Sequence, residues 1–162
     1  MGSRRIDKTD AHILNLLQES GRMKRNAIAD LVSLSVPSVS ERMRKLEGRG
    51  VIQGYHAVID AKRLGMDITA FIRVSVDTSI HYGAMIDHVC EWVEVLELHS
   101  ITGEGSHILK VRTRNTATLE VLLSQIQGWP GVIGTVTSIV LSTYKETRQL
   151  LVVPETESRR NL

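Results

Sequence analysis

From residue 28 to 47 the chain reads Ile-Ala-Asp-Leu-Val-Ser-Leu-Ser-Val-Pro-Ser-Val-Ser-Glu-Arg-Met-Arg-Lys-Leu-Glu, and nothing else in its 162 residues narrows the choice of fold as sharply. Apolar residues at helical spacing stop at Ser33-Leu34-Ser35 and resume behind Pro37, so two short helices meet at a tight turn. The second carries Ser, Arg and Lys on its outer faces. That is the layout of a helix-turn-helix, whose second helix lies in the major groove of DNA.

A preceding helix completes the unit. Asp7 is placed to cap it, Asp10 sits in the anion-favouring first turn, and Gly21 ends it, which predicts a helix over 8–20 with Ile13, Leu14, Leu16 and Leu17 on its apolar face. The second helix is expected over 25–32, burying Ile28, Leu31 and Val32. Ser35 caps the third, where Pro37 is tolerated because its missing N–H falls in the first turn. Val36, Val39, Met43 and Leu46 then recur at spacings of three, four and three, one inward stripe.

The remaining faces of this third helix carry the candidate DNA contacts. Ser38, Ser40, Glu41 and Arg42, in its N-terminal half, are placed for base edges. Arg44, Lys45 and Arg49 are placed for phosphates, which give affinity without sequence information, and Arg25 and Ser35 complete the face. A competing reading makes this the solvated side of an ordinary three-helix bundle. Charge argues against it: residues 1–63 hold twelve Lys/Arg against seven Asp/Glu, whereas residues 64–162 hold eight against eleven. The segment from Gly50 to Ile59 is either the wing of a winged helix or a strand leading onward, and 61–67 reads as a linker.

From Ile68 the apolar period changes from helical to two. Ala70, Ile72, Val74 and Val76 alternate with polar neighbours as a half-buried strand. A helix over 82–92 follows, with Met85, Ile86 and Val89 inward, then strands at 95–101 and 108–113, a helix over 116–127 burying Leu119, Leu122, Leu123 and Ile126, and a long strand over 133–144. The order β-α-β-β-α-β is that of the ferredoxin-like split βαβ fold. The class is therefore α+β: a winged helix-turn-helix domain at 1–60 and a ferredoxin-like domain at 68–150, with 151–162 as a frayed tail or an exchanged edge. Two helices on one sheet face leave the other uncovered, and its apolar alternation asks for a second copy. A dimer also suits a helix-turn-helix that reads two half-sites about 34 Å apart.

The spaced residues Ile6-Asp7, Asp10, Ile13-Leu14, Leu17-Gln18 and Gly21-Arg22 resemble the opening of the Lrp/AsnC (feast/famine) family of prokaryotic transcription regulators. So do the stretch from Ser40 to Glu47, the run from Gly50 to Tyr55, Ile101-Thr-Gly103, Leu109-Lys-Val, Pro130-Gly-Val132 and the strand ending at Lys145. The resemblance implies an amino-acid-sensing C-terminal domain and dimers that assemble further, often as an octamer in a disc around which DNA wraps. It places effectors against the loop joining the second and third strands, here Thr102, Gly103, Glu104, Gly105, Ser106 and His107. The family's Gly-Asp-aromatic-Asp is Gly103-Glu104-Gly105-Ser106 in this chain. Glu104 remains able to hold an ammonium and the Gly N–H groups a carboxylate, but one acid and an aromatic wall are lost; a plain Gly-rich hairpin is the competing reading. Lys24 replaces a Ser/Thr cap and Ser33 a turn glycine.

The expected function is a sequence-specific DNA-binding transcription regulator tuned by an amino acid. The expected partners are duplex DNA and further copies of the chain, with no cofactor beyond the effector, no catalytic residue and no membrane. Two alternatives stand: a sirohaem-decarboxylase-like enzyme on the same scaffold, and an architectural DNA-binding protein of low specificity. Arg4 and Arg5 precede an amphipathic pattern rather than an apolar run, so no signal peptide is expected and the cytoplasm is the expected location. The single cysteine, Cys90, suits a reducing compartment and is expected to be a small buried residue. His81, His88 and Cys90 lack the spacing of a zinc site, and His99 is expected on a sheet face.

Overall fold

The computed structural model describes residues 5–154. It forms two compact units, one of Met1–Val58 with Glu146–Leu162 and one of Ile59–Lys145, so the chain passes between them twice.

In the first unit α1 is Lys8–Glu19, α2 is Arg25–Val32 and α3 is Val36–Gly48. Asp7 caps α1 by accepting the backbone N–H of Asp10 at 2.7 Å. Ser35 caps α3 through the N–H of Ser38. Ile13, Leu17, Ile28, Ala29, Val39 and Met43 form the shared core, and Leu46 is buried as well. Complete burial of such a side chain stabilises by about 1.5–3 kcal/mol. Two residues of the expected stripes face outward: Leu31 is 53% exposed and Val36 is 37% exposed. In the two-turn α2 the small Ala29 lets the helices approach and takes the inward position. Val36 opens α3 ahead of the first packed turn, so the buried stripe begins at Val39.

No strand forms over 51–60, so neither the wing nor the onward strand expected from Gly50 to Ile59 is found there. A ribbon needs a second strand, and the next residues instead make a single 3₁₀ turn at Lys62–Leu64 before the sheet begins. Residues 146–154, expected to divide between the second domain and a tail, belong with the first unit. Asn15 and Gln18 of α1 bond their backbone at Val152 and Leu150. Residues 155–162 of the expected tail lie outside the described residues.

In the second unit β1 (Ile68–Val76), α4 (Tyr82–Glu91), β2 (Val95–Ser100), β3 (His107–Thr113), α5 (Thr116–Gln127) and β4 (Val132–Ile139) follow the β-α-β-β-α-β order. They make one antiparallel sheet, β2-β3-β1-β4. Ala70, Ile72, Val74, Leu109 and Val111 face Met85 and Val89 of α4 and Leu119, Leu122 and Ile126 of α5. Asn115 caps α5 through a reciprocal pair of bonds with Thr118. β4 ends at Ile139, five residues before the expected Tyr144, because its partner β1 begins at Ile68 and the ladder closes with Val140 N–H on the Thr69 carbonyl. Cys90 is exposed, not buried: Met85 and Val89 are the residues that α4 turns inward.

The uncovered sheet face is more polar than alternation alone suggested. Phe71, Ile108 and Val136 share it with Arg73, the Lys110–Glu97 pair and His99. Position 33 is where the backbone is under strain: Ser33 has φ 54 and ψ 46, a left-handed conformation that an L side chain disfavours by about 1–2 kcal/mol. Ser33→Gly is expected to stabilise the first unit by up to about 1 kcal/mol, after subtracting glycine's larger unfolded entropy. The measurement is the urea midpoint at constant m-value; a lowered midpoint would contradict it.

Candidate nucleic-acid interface and effector loop

α3 presents its polar residues in two directions. Glu41 accepts from Nε and Nη2 of Arg44 at 2.9 and 2.8 Å, with Lys45 Nζ at 3.5 Å. The Arg44 bond holds the Glu41 carboxyl below the usual range and lifts the Arg44 guanidinium further above its own. These exposed pairs are screened by water and open readily to a phosphate. Ser38 bonds Ser35 hydroxyl to hydroxyl at 2.9 Å. An open cleft of about 500 Å³ runs beside α3 and gathers Ser38, Glu41, Arg42, Lys45 and Arg49 on one wall, with Asp10 opposite. Ser35, Ser40, Arg44 and Arg25 are outside that lining; Ser40 is half-buried and Arg25 exposed.

Arg42 departs from its expected role. Its Nη1 lies 2.7 Å from Asp7 Oδ2 and 2.7 Å from Asp10 Oδ1, so the guanidinium grips the first turn of α1 instead of reaching for base edges. Bonds to Asp7 and then Asp10 hold Arg42 above its ordinary pKa. Burial works against the Asp7 carboxylate, but the Asp10 N–H and Arg42 outweigh it, and its pKa falls. Tyr55 donates to Glu47 at 2.9 Å and fastens the chain leaving α3 back onto that helix. Burial, then the Glu47 bond, push the Tyr55 pKa up to about 12. Neither fastening was read from the sequence, although the two aspartates at the start of α1 were a visible acidic pair with no assigned partner.

The 102–106 loop joins β2 to β3. Its base is fixed on one carbonyl: Val74 O accepts from Ser106 N at 2.9 Å and from Ser106 Oγ at 3.1 Å. Gly105 has φ +82, and a Cβ there would stand 3.2 Å from the same oxygen, so the approach favours glycine. Glu104 is 92% exposed, 3.8 Å from Arg73. Thr102 and Gly103 are exposed beside it.

His107 does not line the loop, contrary to expectation. It opens β3 on the helix-facing side, in register with Val74, and is almost fully buried with its ring edge-on to Tyr82 at 4.7 Å. Ser106 Oγ gives its proton to Val74, so the 2.9 Å contact requires His107 Nδ1–H as donor. Nε2 is then a bare, buried lone pair without a partner. Burial pushes the His107 pKa down.

The cysteine and the other histidines do not converge. His81 pairs with Asp77 at 2.8 Å, His88 stacks on Trp129, and no cluster able to hold a metal occurs among the described residues. No helix among them is long and apolar enough to cross a membrane.

Two family models match this arrangement: a winged helix-turn-helix DNA-binding model over residues 6–53 and the Lrp/AsnC ligand-binding domain over 69–150. The chain belongs to the Lrp/AsnC family. It is 36% identical over 145 residues to the HTH-type transcriptional regulator FL11 of Pyrococcus horikoshii, covering 90% of this chain and 95% of that one. It is 34% identical over 147 residues to the regulator LrpA of Mycobacterium tuberculosis, covering 89% and 95%. A Neisseria meningitidis transcriptional regulator solved in complex with L-methionine superposes with TM-score 0.84 at 31% identity, covering 89% of this chain and 95% of that one. A feast or famine regulatory protein of M. tuberculosis, also complexed with L-methionine, gives 0.82 at 32%, covering 91% and 99%. Within the Lrp/AsnC family this chain is thus an HTH-type transcriptional regulator.

The buried histidine gives the second unit a pH dependence of defined sign. In the unfolded chain His107 takes up a proton near its ordinary value of about 6.5, and in the folded chain only at lower pH. Stability from this residue is therefore fully present above about pH 6.5 and is lost as pH falls below it toward the depressed folded value. Urea melts at pH 7.5 and 5.5 are expected to differ less for His107→Asn than for the wild-type chain; an equal difference in both would contradict the assignment.

Proposed function

We propose that the chain regulates transcription by seating α3 in the major groove of duplex DNA, presented twice by a dimer. The observation that carries this reading is the outer face of α3, where Arg44, Lys45 and Arg49 stand clear of the core. These three and Arg25 meet phosphates, while Ser38, Ser40 and Glu41 lie nearest the bases. Ser35 acts as a cap and Arg42 as a brace, so neither belongs to the contact set. The uncovered sheet face, with Phe71, Ile108 and Val136, is the surface through which two copies join, and such dimers assemble further, up to an octamer. The protein works in the cytoplasm, where its DNA is.

The two relatives solved with L-methionine support an amino acid as effector. On the 102–106 loop Glu104 is available for the ammonium, and the N–H groups at Gly103 and Gly105 for the carboxylate. With glycine where the family has an aromatic, the pocket lacks a wall, which favours a larger effector side chain than one that the aromatic would have stacked against.

Each phosphate contact contributes about 0.9 to the slope of log K against log salt concentration. Arg44→Ala and Lys45→Ala are each expected to lower that slope by about one on promoter DNA and on random duplex alike. Slopes unchanged in both variants would show that α3 does not meet the DNA backbone.

A further inference from the structure

The described C-terminal segment is held in a way that its side chains do not explain. Leu150 is 75% exposed and Leu151 is 85% exposed, so little apolar area fastens them. The fastening is through the backbone. Asn15 Nδ2 donates to the Val152 carbonyl at 3.0 Å, and Val152 N–H returns a bond to Asn15 Oδ1 at 3.2 Å. Gln18 repeats the pattern on Leu150, at 2.9 and 2.7 Å. Gln149 adds a bond from Nε2 to the Gln18 carbonyl at 2.9 Å.

The geometry is that of a sheet edge built from side chains. Residues two apart on an extended chain turn their N–H and C=O groups to the same edge. Residues three apart on a helix lie on the same face. A carboxamide sets an N–H donor beside a C=O acceptor, and the pair can meet the C=O and N–H of one residue of an extended chain. Asn15 and Gln18 therefore imitate a neighbouring strand and read backbone, not sequence, as in strand addition.

We propose that the Asn15–Gln18 pair is a docking site for an extended backbone, occupied by residues 149–152 of the same chain, and that it forms a releasable latch. The chain passes between its two units after Val58 and after Lys145. With the latch closed, residues 149–152 brace one side of α1; with it open, α1 loses four bonds to that backbone, and the DNA-binding unit has more freedom to lose on binding DNA.

Tryptic cleavage of the full-length protein after Lys145 and Arg148, without DNA or effector, tests the latch itself. The double variant Asn15→Ala, Gln18→Ala keeps α1 intact, since Ala favours helix, and is expected to speed cleavage about tenfold. Leu150→Pro removes the N–H that Gln18 accepts and is expected to do the same, while Leu150→Ser and Leu151→Ser leave the rate unchanged. A wild-type rate already equal to that of the double variant, or Leu150→Ser matching Leu150→Pro, would overturn the proposal. The consequence for DNA rests on the function proposed above and is read separately. Opened variants are expected to retain promoter duplex several-fold more weakly with an unchanged salt slope. Unchanged retention in a variant whose latch is shown open by cleavage would remove that consequence, whereas loss of all duplex binding by the wild-type chain would count against the DNA reading instead.

Discussion

The grip of Arg42 on Asp7 and Asp10 is the constraint on which the DNA-binding unit turns. α3 is amphipathic, and its buried stripe of Val39, Met43 and Leu46 fixes which side faces the core. Apolar contacts are non-directional, however, and leave a short helix free to tilt or slide. A guanidinium with two carboxylates 2.7 Å away is directional. It ties the middle of α3 to the N-terminal turn of α1, where the helix dipole also favours the two anions. Asp10 is nearly buried there, so removing Arg42 strands a charge at a cost of about 1–3 kcal/mol. An ion pair between α3 and α1, in the cleft that also holds Ser38, Glu41 and Lys45, thus fixes the tilt of α3.

The second unit applies the same economy to a loop. One carbonyl, Val74 O, takes both bonds from Ser106 and crowds a side chain at position 105, where the positive φ also favours glycine. Val74 belongs to the buried face of β1, paired on one side with His107 and on the other with Thr135. The loop therefore rests on the middle of the sheet, not on an edge, while its tip, Glu104, stays in water. A rigid base beneath an exposed carboxylate is what the effector role proposed for this loop requires.

Much of this was legible in the sequence, for a physical reason. Helix bounds at Lys8 and Val36 follow from local chemistry, namely the Asp7 and Ser35 caps and the apolar period behind them, and local chemistry is written in adjacent residues. The change to period two at Ile68 disclosed the sheet in the same way. What the sequence concealed depends on partners far along the chain. Arg42 reads as a DNA contact until Asp7 and Asp10, more than thirty residues away, are seen to hold it. His107 reads as part of a loop until its register with Val74 buries it. The end of β4 depends on where β1 begins, and the attachment of 146–154 to α1 depends on two amides separated from it by more than 130 residues. Leu31 reads as inward because helical period gives a face only to within a residue, and the small Ala29 takes the inward place; Cys90, next to the inward Val89, is turned to the outer side of its helix.

The placement of α3 depends on Arg42 acting as a brace. The most direct test is a joint measurement on Arg42→Ala of unfolding free energy and of the salt dependence of duplex binding. Reduced stability of the first unit, weaker binding and a salt slope equal to that of the wild-type chain are expected. A slope lowered by about one with stability intact would make Arg42 a phosphate contact and not a brace.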